Sequence, residues 1–362
     1  MKSVIDILDL SKSEIDSLIK TACDIAANPA MYADRCRGKK IATLFFEPST
    51  RTRLSFEAAM LELGGNAIGF SEASSSSASK GESVSDTAKV ITAYADIIAM
   101  RHPKEGAPLV ASRSAGIPVI NAGDGGHCHP TQTLADILTI YREKGRLSEL
   151  TVGFCGDLKY GRTVHSLIAA LSRYSGIKLV LISPDELKLP GYVKNEIIEK
   201  NGMSYRQTLS LDEAMPELDI LYMTRVQRER FTDLRQYERL KDRYILTLDK
   251  LKNAKPDMSI LHPLPRVNEI SVKVDEDPRA CYFKQVYNGK LMRMALILYL
   301  LETAKDKKRE IPDYSGDGFI VNKLKCSNPR CICSEERELD QIFRATENGI
   351  YRCIYCEGKA TL

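Results

Sequence analysis

The chain has 362 residues, 43% of them hydrophobic and 28% charged, ordinary globular proportions that exclude a disordered, collagen-like or coiled-coil chain. That length suits two domains with room for a small third. A net charge of +4 is too small to point to nucleic acid, and the apolar run 294–301 is far too short to cross a bilayer. The first fourteen residues place acids inside their apolar stretch and carry no cleavage-site pattern, so no secretory signal is expected and the cytoplasm is the expected compartment. Ten cysteines are present, and Cys326, Cys331, Cys333, Cys353 and Cys356 crowd the C-terminal end. In an unsecreted chain such a cluster reads as metal binding before disulfides.

In chain order, Ser11-Lys12-Ser13-Glu14 is a capping box ahead of apolar residues at helical spacing. Residues 41–46 form a short β-rich run, which passes through Glu47-Pro48 into a helix over 49–64 closed by Gly64. The serine-rich stretch 71–79 lacks periodicity, and its composition reads as a surface loop. A strand over 117–121 precedes a helix that opens at Pro130 and runs to about residue 143. Strands over 151–155 and 178–183 flank a helix over 162–174, with further strands at 219–223 and 259–261 and a long apolar helix over 291–305. Residues 305–315 are charged and then broken by proline and glycine, as in a linker. Repeated β-loop-α units predict an α/β fold of parallel sheets with helices on both faces.

Several segments carry chemistry. Ser49-Thr50-Arg51-Thr52-Arg53 follows a strand and opens a helix, where free N–H groups and the positive dipole end bind phosphate. Taken alone, the same residues also read as an N-cap with solvated arginines. His129-Pro130-Thr131-Gln132 repeats the arrangement, with His129 and Gln132 three apart. A histidine at a positive helix end is expected to stay neutral and to donate to an oxygen gaining charge, although a plain cap is an equal local reading. Arg162 after one strand, and Arg225 with Gln227 after another, suit carboxylates, as Arg101 at a further strand end suits an anion. The two prolines of His262-Pro263-Leu264-Pro265-Arg266 restrict the backbone and fix the direction of its carbonyls. These segments supply donors and no obvious nucleophile, which suits a transfer driven by positioning and oxyanion stabilisation.

The segments 46–57, Arg101-His102-Pro103, His129 to Gln132, 156–162 and His262 to Arg266 together resemble the aspartate carbamoyltransferase family, from near the N-terminus to about residue 302. Ornithine carbamoyltransferases share the first and third motifs but typically carry His-Cys-Leu-Pro where this chain has His262-Pro263-Leu264-Pro265. The resemblance implies condensation of carbamoyl phosphate with L-aspartate, without an organic cofactor. It implies phosphate contacts from Ser49, Thr50, Arg51 and Thr52, and carbonyl-oxygen contacts from Thr52, Arg101 and His129. Gln132 and the carbonyls of Pro263 and Leu264 would meet the carbamoyl amide, and Arg162, Arg225 and Gln227 the aspartate carboxylates. The family's trimer borrows a loop from a neighbouring subunit, which falls on Ser76 and Lys80 and turns the serine-rich stretch from a surface loop into part of a site. Cys128, beside His129, is not expected of the family. The implied bodies are 1–135 with a helix over 286–305 packing back on it, and 136–285.

At the C-terminal end, Cys326-x4-Cys331 and Cys353-x2-Cys356 have the spacing of a structural zinc site, with Cys333 as a possible replacement for Cys331. So small a region cannot build a sufficient apolar core, and metal would supply its folding energy. The spacing resembles the zinc domain of the regulatory chain of bacterial aspartate carbamoyltransferase, which there docks on the catalytic chain. Residues 306–362 would thus be linker and zinc domain, with no room for that chain's nucleotide-binding domain and with a role in assembly or stability.

Overall fold

A computed structural model describes residues 1–226, 234–240, 242–306, 314–316, 318–346 and 349–361. The chain divides into two compact units, Met1–Thr131 with Lys290–Leu362, and Gln132–Gly289. No helix among the described residues is long and apolar enough to cross a membrane.

The first unit opens with α1 (Lys12–Ala27), where Ser11 and Glu14 cap each other reciprocally as the capping box predicts. Its parallel sheet has the order β2-β1-β3-β4, built from β1 (Lys40–Phe45), β2 (Asn66–Phe70), β3 (Ile97–His102) and β4 (Val119–Asp124). Helices α2 (Thr50–Glu62), α3 (Val84–Thr92) and α4 (Ala107–Ser114) connect them. Strands β1, β3 and β4 are buried almost throughout, so they read as continuous apolar runs. The strand expected over 117–121 begins at Val119 instead, because Pro118 has no N–H for the ladder and contributes only its carbonyl, to Ile98.

The second unit opens with α5 (Pro130–Lys144), whose first two residues lie in the first unit. Its parallel sheet runs β7-β6-β5-β8-β9, with β5 (Thr151–Cys155), β6 (Lys178–Ile182), β7 (Ser204–Thr208), β8 (Ile220–Met223) and β9 (Ser259–Leu261). Helix α6 (Arg162–Leu171) stops short of residue 174, in a Ser-Gly turn. The long helix Tyr282–Thr303 begins nine residues before the expected 291. Gly289 in its interior costs about 1 kcal/mol relative to alanine and masks the continuity of the pattern.

The C-terminal sheet is antiparallel, in the order β10-β11-β12-β13: β10 (Phe319–Val321), β11 (Ile342–Ala345), β12 (Ile350–Cys353) and β13 (Lys359–Thr361). It belongs to the first unit and shares a hydrophobic cluster with it, in which Ile332, Phe343 and Tyr355 pack with Ala107, Val110 and Ala111. Of the expected linker, residues 307–313 lie outside the described residues.

The seam runs through the loop after β3. Glu105 donates its backbone N–H to the Arg330 carbonyl (2.8 Å) and accepts at its own carbonyl from the Ile332 N–H (2.9 Å). Its carboxylate accepts from Asn328 Nδ2 at 2.7 Å and from the Gly126 N–H at 3.2 Å. Gly106 has a positive φ of 85°, and a Cβ there would lie 2.5 Å from Tyr355 Cβ, so this approach requires glycine. The Arg113 guanidinium covers the Tyr314 ring at 4.5 Å.

His102, at the end of β3, is buried against Phe46 and accepts from the Lys104 N–H at Nδ1 (3.0 Å). Burial pushes its pKa down to about 4. An unfolded chain takes that proton near 6.5, so between pH 6.5 and about 4 the unfolded state binds more protons. Stability is therefore full above pH 6.5 and falls by about 3 kcal/mol as the pH drops to 4. The urea midpoint of the wild type should fall across this window more steeply than that of His102→Gln, and parallel profiles would contradict it.

Candidate active site

In the first sheet the strand order reverses between β1 and β3, where an open parallel sheet presents its ligand crevice beyond the carboxyl ends of the strands. Glu47 to Thr52 leave β1 at this end, Arg101 lies near the end of β3, and the turn after β4 leads to His129. Ser49 is the N-cap of α2 but makes no side-chain capping bond, so its hydroxyl is not used to close the helix. Thr50 and Arg51 are exposed, and Ser49 and Thr52 are half-buried.

Arg101 pairs with Glu47 (Nη2 to Oε1, 2.7 Å), and its buried Nε has no hydrogen-bond partner among the described residues. Although Arg51 is exposed as a residue, partial loss of water around its guanidinium and then the Arg101 charge hold its pKa below the ordinary value. Two guanidiniums crowded in this way favour a bound anion. Gly123 separates Arg101 from the histidine: its φ is +118°, and a Cβ would lie 2.8 Å from Arg101 Nη1 and 3.4 Å from His129 Cδ2. His129 is 6% exposed, and Thr131 Oγ1 lies 3.4 Å from its Nδ1. Ser76 and Lys80 lie on a loop of two 3-10 turns, Ala73–Ser75 and Ser77–Lys80. Ser75, Ser76 and Ser79 each donate from Oγ to the carbonyl three residues earlier, and Lys80 is exposed.

In the second unit the order reverses between β5 and β8, which places Arg162 and Arg225, both half-buried, beyond the ends of adjacent strands. Gly156, at φ +117°, lets these ends meet, since a Cβ would lie 2.3 Å from the Thr224 carbonyl oxygen. Thr224 Oγ1 accepts from the Asp157 N–H at 2.9 Å. Gln227 lies outside the described residues.

Gln132 is oriented by Asp136, one helical turn on. A carboxylate only accepts, so Gln132 turns its Nε2 to Asp136 Oδ1 (2.7 Å) and its Oε1 away. Gln285 Nε2 donates to the same oxygen, Tyr222 Oη donates to Oδ2 at 2.9 Å, and Gln285 Oε1 accepts from the His262 N–H at 3.1 Å. His262 Nδ1 accepts from the Leu264 N–H (2.8 Å), which puts its proton on Nε2, facing Glu269 at 2.7 Å. The backbone that presents the Pro263 and Leu264 carbonyls is therefore fixed from both sides. The sequence reading missed Glu47, Gly123, Asp136, Gln285 and Glu269. Only Asp136 left a signal, its i,i+4 spacing from Gln132.

All ten cysteines are free thiols. The sulfurs of Cys326, Cys331, Cys353 and Cys356 are buried and lie within 4.8 Å of one another. The Cys326–Cys356 and Cys331–Cys353 separations are 3.6 and 3.8 Å. A tetrahedral ion with metal–sulfur bonds of about 2.3 Å needs edges of about 3.8 Å, so the four thiols fit a structural metal. Cys333 is also close, 3.3 Å from Cys331, but it falls outside this four-sulfur group.

The family description "Aspartate/ornithine carbamoyltransferase, carbamoyl-P binding domain" matches residues 2–142, and the corresponding "Asp/Orn binding domain" matches 148–300. The chain is thus a carbamoyltransferase of two parallel-sheet α/β units. Over 301 residues it is 63% identical to the aspartate carbamoyltransferase catalytic subunit of Lachnoclostridium phytofermentans, taking in 83% of this chain and 98% of that one. The Clostridium acetobutylicum catalytic subunit is 61% identical over 300 residues, with the same shares. The catalytic subunit of M. jannaschii aspartate transcarbamoylase has a TM-score of 0.78 at 45% identity, covering 84% of this chain and 99% of that one. The Trypanosoma cruzi enzyme in complex with carbamoyl phosphate and aspartate has a TM-score of 0.78 at 38% identity, covering 83% and 96%. The chain belongs to the aspartate carbamoyltransferase family. Its residues 318–361 match the "Aspartate carbamoyltransferase regulatory chain, metal binding domain", so a metal-binding domain of the regulatory type is joined to the catalytic body.

Proposed function

We propose that this chain condenses carbamoyl phosphate with L-aspartate to give N-carbamoyl-L-aspartate and phosphate, an early step of pyrimidine biosynthesis. The observation that carries the reading is Arg101 near the carboxyl end of β3, its buried Nε without a partner among the described residues, with Glu47 as the carboxylate that an anionic substrate must share or displace. The aspartate amine attacks the carbamoyl carbon while Thr52, Arg101 and His129 stabilise the developing oxyanion. The carbon–oxygen bond to phosphate then breaks, and phosphate leaves among Ser49, Thr50, Arg51 and Thr52, taking the amine proton. Gln132 Oε1 and the carbonyls of Pro263 and Leu264 accept from the carbamoyl amide. Arg162, Arg225 and Gln227 bind the aspartate carboxylates, joined by Lys80, which with Ser76 comes from a neighbouring subunit of a homotrimer. Zn²⁺ is the metal of the four-thiol site, its role is structural, and the enzyme works in the cytoplasm. Steady-state assays with carbamoyl phosphate test the reading: turnover of aspartate and not of ornithine is expected, and preference for ornithine would overturn it.

Asp136 is a positioning residue in this reading. Asp136→Asn keeps its size but cannot accept from Gln132, Gln285 and Tyr222 together, so one donor is left unpaired or one amide turns over. kcat/KM for carbamoyl phosphate should fall about tenfold, mainly through KM, with the melting temperature lowered by only a few degrees. Lost stability with unchanged kcat/KM would reduce Asp136 to a structural role.

A further inference from the structure

We propose that Asp124, His127 and Cys128 form a second metal site, distinct from the four-thiol site and taking a thiophilic divalent cation such as Zn²⁺ or Cd²⁺. One carboxylate oxygen, one ring nitrogen and the sulfur lie within 4.8 Å of one another. Asp124 and Cys128 are buried, and His127 is half-buried. His127 Nδ1 is 3.0 Å from Asp124 Oδ2, a separation that a shared ion with bonds of about 2.0–2.2 Å can bridge. An imidazole, a thiolate and a carboxylate together suit zinc and cadmium better than magnesium or calcium.

The site is preformed. The turn is closed by the Asp124 N–H on the Cys128 carbonyl (3.2 Å) and the His127 N–H on the Asp124 carbonyl (3.0 Å). Asp124 is also held by three donors that a metal would leave in place: the Gly106 N–H at 2.8 Å, the Cys128 N–H at 2.9 Å and Asn121 Nδ2 at 3.0 Å. Outer hydrogen bonds of this kind orient metal-ligating carboxylates. Cys128 Sγ donates to Asp6 Oδ2 at 2.8 Å, so a second carboxylate stands beside the sulfur where a fourth ligand or a bound water would lie. Loading releases the Cys128 thiol proton to solvent and frees His127 Nδ1, whose proton passes to Nε2 in a neutral ring or to solvent from an imidazolium, with no change of oxidation state.

The test is a cadmium titration of the full-length protein with its four-thiol site filled, followed by the ultraviolet thiolate-to-cadmium band and by metal analysis after gel filtration. The wild type should take up a second ion per chain and develop additional band intensity. Cys128→Ser and His127→Gln should each keep the first ion and lose the second. Neither residue is placed in the transferase machinery, so retained carbamoyl transfer certifies that a variant is folded, and either variant alone suffices if the other fails to fold. Equal uptake by wild type and a folded variant, or one ion per chain in the wild type, would overturn the proposal.

Discussion

Replacing His129 by alanine should lower kcat by roughly 10²–10³, the size of one lost oxyanion donor. The side chain is 6% exposed and lies directly before Pro130, the first residue of α5. Its surroundings are close: a Cβ at Gly123, whose φ of +118° favours glycine, would lie 3.4 Å from its Cδ2, and Thr131 Oγ1 approaches Nδ1. A donor held in this way acts on charge that appears only as the tetrahedral intermediate forms. kcat and kcat/KM should therefore fall together, with KM for carbamoyl phosphate nearly unchanged. An unchanged kcat would remove His129 from the mechanism. A raised KM at unchanged kcat would make it a ground-state contact.

Removing the metal should have the largest effect on structure. Structural zinc contributes about 10–16 kcal/mol of apparent folding energy in small domains. The antiparallel sheet here is small, and the buried residues clustered with it include the four neighbouring cysteines themselves. After chelation, limited proteolysis within 318–361 should quicken by at least about 10²-fold, and zinc should restore protection. The loss should reach the catalytic body. Glu105 is bonded through both backbone groups to residues 330 and 332, and Gly106 donates to Asp124, in the turn that leads to His129. The stripped enzyme should therefore melt at a lower temperature as well as being cut faster. Unchanged protease resistance after complete metal removal would show that the sheet stands without an ion.

The parts of the fold that were legible in the sequence were those where one local signal dominates. The capping box at Ser11, Pro130 at a helix start and the apolar run 151–155 each state their element in a few residues. The edge strands β2 and β7 were not legible, because half-exposed edges carry no apolar run. Gly289 hid the first turns of the long helix. Among the described residues, the arginines and His129 named from the sequence lie at strand ends and helix starts, where chain order alone puts them. The groups that hold them, such as Glu47 on Arg101 and Gln285 on Asp136, are joined by tertiary contacts with no spacing to read. The metal-binding character of the C-terminal region was legible because cysteine spacing reflects ligand geometry, and its fusion to the catalytic body was legible through its resemblance to the regulatory chain's zinc domain. Its attachment through Glu105 was not, since backbone hydrogen bonds leave no mark on residue type.

The most direct test is calorimetric titration with N-(phosphonacetyl)-L-aspartate, which carries a phosphonate for the proposed phosphate contacts and an aspartate moiety for the proposed carboxylate contacts. One tight equivalent per chain is expected, weakened strongly by Arg101→Ala and by Arg162→Ala alike. No binding, or tight binding that survives both substitutions, would contradict it.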